Sequence, residues 1–131
     1  IPEDNTIPQN TEGDEYMALQ ITPLNAQSKL EINVLAFISN SISNPRIGAL
    51  FQDSTTNALG SASHFDSIPS AMTPLNINHL MTSGTTNATT FKFRAGGSAA
   101  GTTYFNGLSG GQLFGGTMII NPAGEITIIN Y

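Results

Sequence analysis

The chain has no cysteine and no tryptophan, and only four lysines and arginines stand against nine acids in 131 residues. Without cysteine there is no disulfide framework and no thiolate metal site, and the redox compartment stays open. The few bases are scattered, which argues against nucleic-acid binding, because phosphate neutralisation needs clustered Lys and Arg. An anionic membrane surface is disfavoured for the same reason. No apolar run approaches the roughly eighteen residues that a spanning helix needs, so no membrane insertion is expected. The opening IPEDNTIPQN has neither a basic start nor an apolar core, so it does not read as a signal peptide. It does not begin with Met, and a processed chain or a fragment of a longer protein is expected.

Charge is also unevenly spread. Glu3, Asp4, Glu12, Asp14 and Glu15 fall within the first fifteen residues, and the rest of the chain is formally neutral. In place of charge the chain carries forty Thr, Asn and Ser residues. Ample Ile, Leu, Val and Phe accompany them, whereas disorder pairs low hydrophobicity with high net charge. The chain is expected to fold, and its length suits one domain.

Residues 1–15, with Pro2, Pro8 and Gly13, read as an extended acidic arm or linker, packed at Ile1 and Ile7. Residues 16–131 read as a single β-sandwich domain. YMALQIT is a first strand stopped by Pro23. In KLEINVLAFIS the positions Leu30, Ile32, Val34, Ala36 and Ile38 alternate with period two, the mark of a strand with one buried face. RIGALFQD places Ile47, Ala49 and Phe51 on one face, LNINHLM sets Leu75, Ile77 and His79 against Asn76 and Asn78, and ATTFKFRAG sets Phe91, Phe93 and Ala95 against Lys92 and Arg94. GTTYFNG, LFGGTMII and EITIINY supply further strands, the last entered through an NPAG turn, while the stretch around 61–72 reads as irregular. No segment has a helical period. About eight or nine short strands at roughly ten-residue spacing indicate an all-β, antiparallel, jelly-roll-like sandwich. Leu35, Phe37, Leu50, Ile119 and Ile129 are apolar on the second face of their strands, and self-association would cover them.

The glycines of FKFRAGGSAAGTTYFNGLSGGQLFGGT raise the question of a phosphate loop. Gly111 and Gly116 have P-loop spacing, but Thr117 stands where the phosphate-binding Lys is required, and G-x-G-x-x-G does not occur. Regularly spaced aromatics argue against a flexible linker. Turns remain, with Gly96-Gly97, Gly107 and Gly110-Gly111 expected at positive φ. Gly115-Gly116, inside a strand-like run, suggests a bulge or a close approach by another backbone. No cofactor is expected.

Catalytic constellations are weak. Ser63, His64, Asp66 and Ser67 are neighbours, but no G-x-S-x-G elbow accompanies them, and sequence adjacency does not make a triad. A glycosidase pair would have to come from Glu31, Asp53, Asp66 and Glu125, and no pair among them is signalled. The cluster Glu12-Gly13-Asp14-Glu15 lacks calcium-loop spacing and reads as a solvated turn. His79 reads as a satisfied core or interface histidine. On a trimer axis it would appear three times and could hold a metal or an anion. The sequon Asn87-Ala88-Thr89 matters only in a secretory host cell.

The combination of IPEDNTIPQNTEGDEY, ALFQDSTTNALG, TTFKFRAGG with AGTT and FNG, and LFGGT resembles a family of small β domains in tailed-bacteriophage virion proteins, often at the tips of tail or head fibres. The resemblance covers nearly the whole chain, with its clearest anchors in residues 1–15, 49–60 and 89–117, and departs around Met118–Glu125 and Ser61–Met72. It implies a non-enzymatic, homotrimeric jelly-roll knob on the surface of a virion. Such a knob follows an upstream fibre shaft or another virion protein and attaches to a host-cell receptor, commonly a glycan. A glycan site would combine aromatic stacking with Asn and Asp hydrogen bonds in loops. Asp53, Asn57, His64, Asp66, Tyr104 and Asn106 are the ligand-binding candidates, although Asp53 and Asn57 also suit turn roles and Tyr104 a half-buried one. The alternatives are a purely structural decoration or trimerisation cap with no ligand, and a small polysaccharide-cleaving enzyme.

Overall fold

In the computed structural model, residues 1–122 and 127–130 are described, with side chains through residue 121. The chain is all β: β1 Asp14–Ile21, β2 Lys29–Asn40, β3 Pro45–Gln52, β4 Gly60–Phe65, β5 Thr73–Thr82, β6 Thr89–Gly97, β7 Thr103–Phe105, β8 Gly107–Leu108, β9 Gly111–Gln112, β10 Thr117–Pro122 and β11 Thr127–Asn130. One sheet has the order β1-β6-β3-β4. The other has the order β11-β10-β2-β5, with β7 paired to the end of β2 beyond β10, and β8 and β9 form a small ribbon. Every pairing is antiparallel, and β1·β6, β2·β5 and β3·β4 nest inside one another. Glu125 and the side chain of Ile129 lie outside the described residues.

The core between the sheets follows from period-two patterning. Leu30, Ile32, Val34, Ala36 and Ile38 of β2 are buried, and they meet Met17, Leu19, Phe91, Phe93, Leu75, Ile77, Met118 and Ile120. The opposite faces of β5 and β6 are more open, at Asn76 and Asn78 and at Lys92 and Arg94. His79, on the inner face of β5 opposite Ile32, is half-buried.

Several expectations change. The stretch expected to be irregular contains β4, an edge strand paired with β3 from Pro45↔Phe65 to Leu50↔Gly60. Its composition, GSASHF, has no apolar alternation because one of its faces is open and it lies at a sheet edge. Leu50, expected on a second face, belongs to the main core. The outward residues of β3 are Ile47, Ala49 and Phe51, and they form a separate buried cluster with Ile1 and Ala58. The cover for that face is the chain's own N-terminal segment.

That segment is tied down at several points. Ile1 N donates to Gly97 O at 3.0 Å, Ala58 N to Pro8 O at 2.9 Å and Asn10 N to Thr56 O at 2.8 Å. Arg94 donates from Nε to Glu12 O at 2.8 Å and from Nη2 to Gly13 O at 2.5 Å. Ile1 is 8% exposed, as expected of a packed residue, whereas Ile7 is 54% exposed. Asp14 and Glu15, the last acids of the lead-in, already belong to β1.

The glycine-rich stretch divides into turns and close approaches. Of the glycines expected at positive φ only Gly110 has it, at +103°. At Gly116 a Cβ would stand 2.5 Å from Leu35 O, the close backbone approach expected of that pair. Positive φ in that stretch falls otherwise on Asn106 and Ser109, and elsewhere on Gly13, Asp53, Ser70 and Gly84.

Candidate functional site

Strand direction divides the candidate residues between the two ends of the sandwich. Asp53 and Asn57 lie in the β3–β4 connection, beside the N-terminal segment. The other four lie at or near the opposite end, where β2 passes into β3, β4 into β5 and β6 into β7.

At the first end the polar atoms hold the fold together. Asp53, at φ +50°, accepts from Thr89 Oγ1 at 2.7 Å and from Thr90 N at 2.8 Å, while its own N–H bonds Thr90 O at 2.8 Å. It clasps the exit of β3 to the entry of β6. Asn57 Oδ1 accepts from Gln9 Nε2 at 2.8 Å and fastens the N-terminal segment. Asn106 is similarly engaged: it is fully buried at φ +53°, and its Oδ1 accepts from Phe37 N at 3.0 Å while its N–H donates to Phe37 O at 2.6 Å. Its carbonyl receives Leu113 N and Phe114 N, so this residue seats the β8–β9 ribbon on the edge of β2.

The opposite end is different. His64 is exposed on β4, in register with Arg46 of β3. Asp66 Oδ1 accepts from Ile68 N at 2.9 Å, and Ser43 Oγ donates to Asp66 O at 3.3 Å. Tyr104 on β7 is half-buried, opposite Ser39. Around them several large apolar side chains are left open: Ile42 at 38%, Phe65 at 61% and Ile68 at 64%. Leu113 and Phe114, in the ribbon's exit, are also exposed, and the Phe114 ring lies 5.1 Å from that of Phe37. Exposed apolars are not confined to this end, since Ile7 at 54%, Leu24 at 77% and Leu80 at 66% lie toward the other.

Beneath this surface the core ends in polar side chains. Asn40 Nδ2 donates to Asn44 Oδ1, Thr103 Oγ1 to Asn40 Oδ1 at 3.0 Å, and Asn44 Nδ2 to Ala99 O at 3.3 Å. These groups satisfy one another. Arg46 does not share in the arrangement. Its side chain is fully buried, Nη2 donates to Ile68 O at 3.2 Å, and Nε and Nη1 have no partner among the described residues. Sequence reading missed Arg46, because a single Arg at a strand entry looks like any surface base. Only its strand parity, shared with the inward-facing Leu50, could have signalled burial.

The outer face of the β2 sheet is neutral and mixed. Asn78 Nδ2 donates to Asn33 Oδ1 at 2.5 Å, and Asn33 Nδ2 to Glu31 Oε1 at 3.3 Å. Leu35, Phe37 and Ile119 beside them are half-buried, and Leu80 is exposed. Among the described residues no group of three or more His, Cys, Asp or Glu is placed to hold a metal ion. No protein-family model matches the chain, and comparison with curated proteins finds no match.

Proposed function

We propose that this chain is the attachment knob of a virion fibre, a non-enzymatic, homotrimeric domain that binds a host-surface receptor, with a glycan the favoured class. The observation that carries the reading is that exposed Ile42, Phe65 and Ile68 share one end of the sandwich with His64 and Asp66. Apolar ring-facing surface beside hydrogen-bonding groups is what a sugar requires. The nested pairing of β1·β6, β2·β5 and β3·β4 supports the jelly-roll-like form of such knobs. A second surface suits the trimer contact. Leu35, Phe37, Ile119 and Leu80 on the outer face of the β2 sheet lie among paired amides with little charge, and closed symmetry would cover them.

Native mass spectrometry and a glycan array test the two parts separately. A mass of three chains together with saturable retention on particular glycans is the expected result. A monomer sinks the trimeric knob. A trimer with no affinity for glycans or host cells favours the structural cap, and release of sugar from a polysaccharide favours an enzyme.

A further inference from the structure

Arg46 poses a physical problem that its surroundings leave unsolved. A guanidinium presents five N–H donors and stays charged at any pH a protein meets. Taking it out of water is costly unless it is paired and hydrogen-bonded. Here it is fully buried, no carboxylate lies within ion-pair distance among the described residues, and its one acceptor is Ile68 O. That carbonyl already accepts from Ala71 N at 3.2 Å and closes the turn from Ile68 to Ala71.

The turn itself is poorly suited to staying shut. Pro69 holds its second position and Ser70 its third, at φ +66°, where turns of this kind favour glycine. A non-glycine residue there is strained, and such strain gathers at ligand clamps and switches. Ser67, Ile68 and Pro69 are exposed, so little apolar burial holds the segment down. Its tethers to the loop ahead of β3 and to the strands are Ser43 Oγ to Asp66 O at 3.3 Å, Ser70 N to Asn40 O at 2.9 Å and the Arg46 bond.

We propose that Arg46 anchors a carboxylate-binding site at this end of the sandwich, covered by the 66–72 segment, which yields when the ligand enters. A planar carboxylate matches the guanidinium fork and supplies the missing charge. One buried cation with Asp66 beside the entrance suits a monovalent anion better than a dianion. Ile68, whose carbonyl holds Arg46, and His64, the cross-strand neighbour of Arg46, lie at the rim and would face an attached ring, so the ligand class is an acidic sugar. The sugar, unlike the carboxylate site, rests on the attachment reading above.

The chain has only two arginines, so their side-chain Nε–H signals can be followed separately in ¹⁵N-labelled protein. The probes are sodium acetate, glucuronate and N-acetylneuraminate, with glucose as the neutral control at matched ionic strength. Expected is a saturable shift of the Arg46 signal with the carboxylates, none with glucose, and no change at Arg94. The unfolding midpoint should rise about 5 °C at tenfold excess over Kd. Arg46→Met should fold without loss of stability, since it removes an uncompensated buried charge, and its midpoint should ignore the probes. No saturable shift with any carboxylate, or an equal midpoint rise in Arg46→Met, overturns the site. A response to acetate but not to the acidic sugars upholds the site and overturns the sugar. A response to acidic sugars without retention on any glycan surface upholds the site and counts against attachment.

Discussion

At the scale of single residues, exposure and structural importance part company. Asp53 is exposed, yet its carboxylate takes two hydrogen bonds that join β3 to β6, and its backbone sits at φ +50°. Short polar side chains tolerate that conformation better than alanine does. Replacing Asp53 by Ala loses both bonds and adds backbone strain, at an expected cost of about 2 kcal/mol. Urea unfolding measures it, and a change under about 0.5 kcal/mol would refute the clasp. Arg46 shows the converse: a base that composition assigns to the surface is wholly buried.

At the scale of elements, β1 contains a bulge that decides the environment of Tyr16. The register with β6 runs Glu15↔Arg94 and then Met17↔Phe93, which leaves Tyr16 as the extra residue. A bulge re-aims side chains. The Tyr16 ring stacks on Phe105 of β7 across the sandwich, with centroids 4.8 Å apart and planes 19° from parallel. Burial, and secondarily the nearby Asp14 carboxylate, push its phenol above the ordinary value. The unfolded chain therefore releases this proton first as the pH climbs past about 10. The stability held below that pH falls until the folded phenol itself ionises. In Tyr16→Phe, which keeps the stack, this part of the decline should vanish. Denaturation curves of both proteins between pH 9 and 12 test it, and parallel losses would show that Tyr16 is not the titrating group.

At the scale of the molecule, the N-terminal segment acts as a third layer. It seals the outward face of β3, where Ile47, Ala49 and Phe51 would otherwise meet water. Arg94 holds it through two backbone carbonyls, so Arg94→Ala should cost about 1–2 kcal/mol and loosen the segment. Hydrogen exchange reads this directly: the Asn10 amide, bonded to Thr56 O, should lose protection while β2 keeps it. Unchanged protection at Asn10 would mean that the apolar contacts alone hold the layer.

The sequence by itself determined the strands with alternating faces. Period two in β2, β5 and β6 and the absence of any helical period are local properties of the chain, and burial followed them residue by residue. The inner face of the core was legible for the same reason. Tertiary structure decided what lies beyond one strand's neighbours: that the apolar outer face of β3 is covered by the chain's own start, and that β4 is a strand despite lacking a pattern. It also gave Asp53, Asn57 and Asn106 to the scaffold and left His64, Asp66 and Tyr104 near the open end. Periodicity reports which side of a strand is apolar. What covers that side, and which polar groups remain unpaired once it is covered, depends on segments far apart in sequence, and the unpaired donors of Arg46 emerged only after they had met.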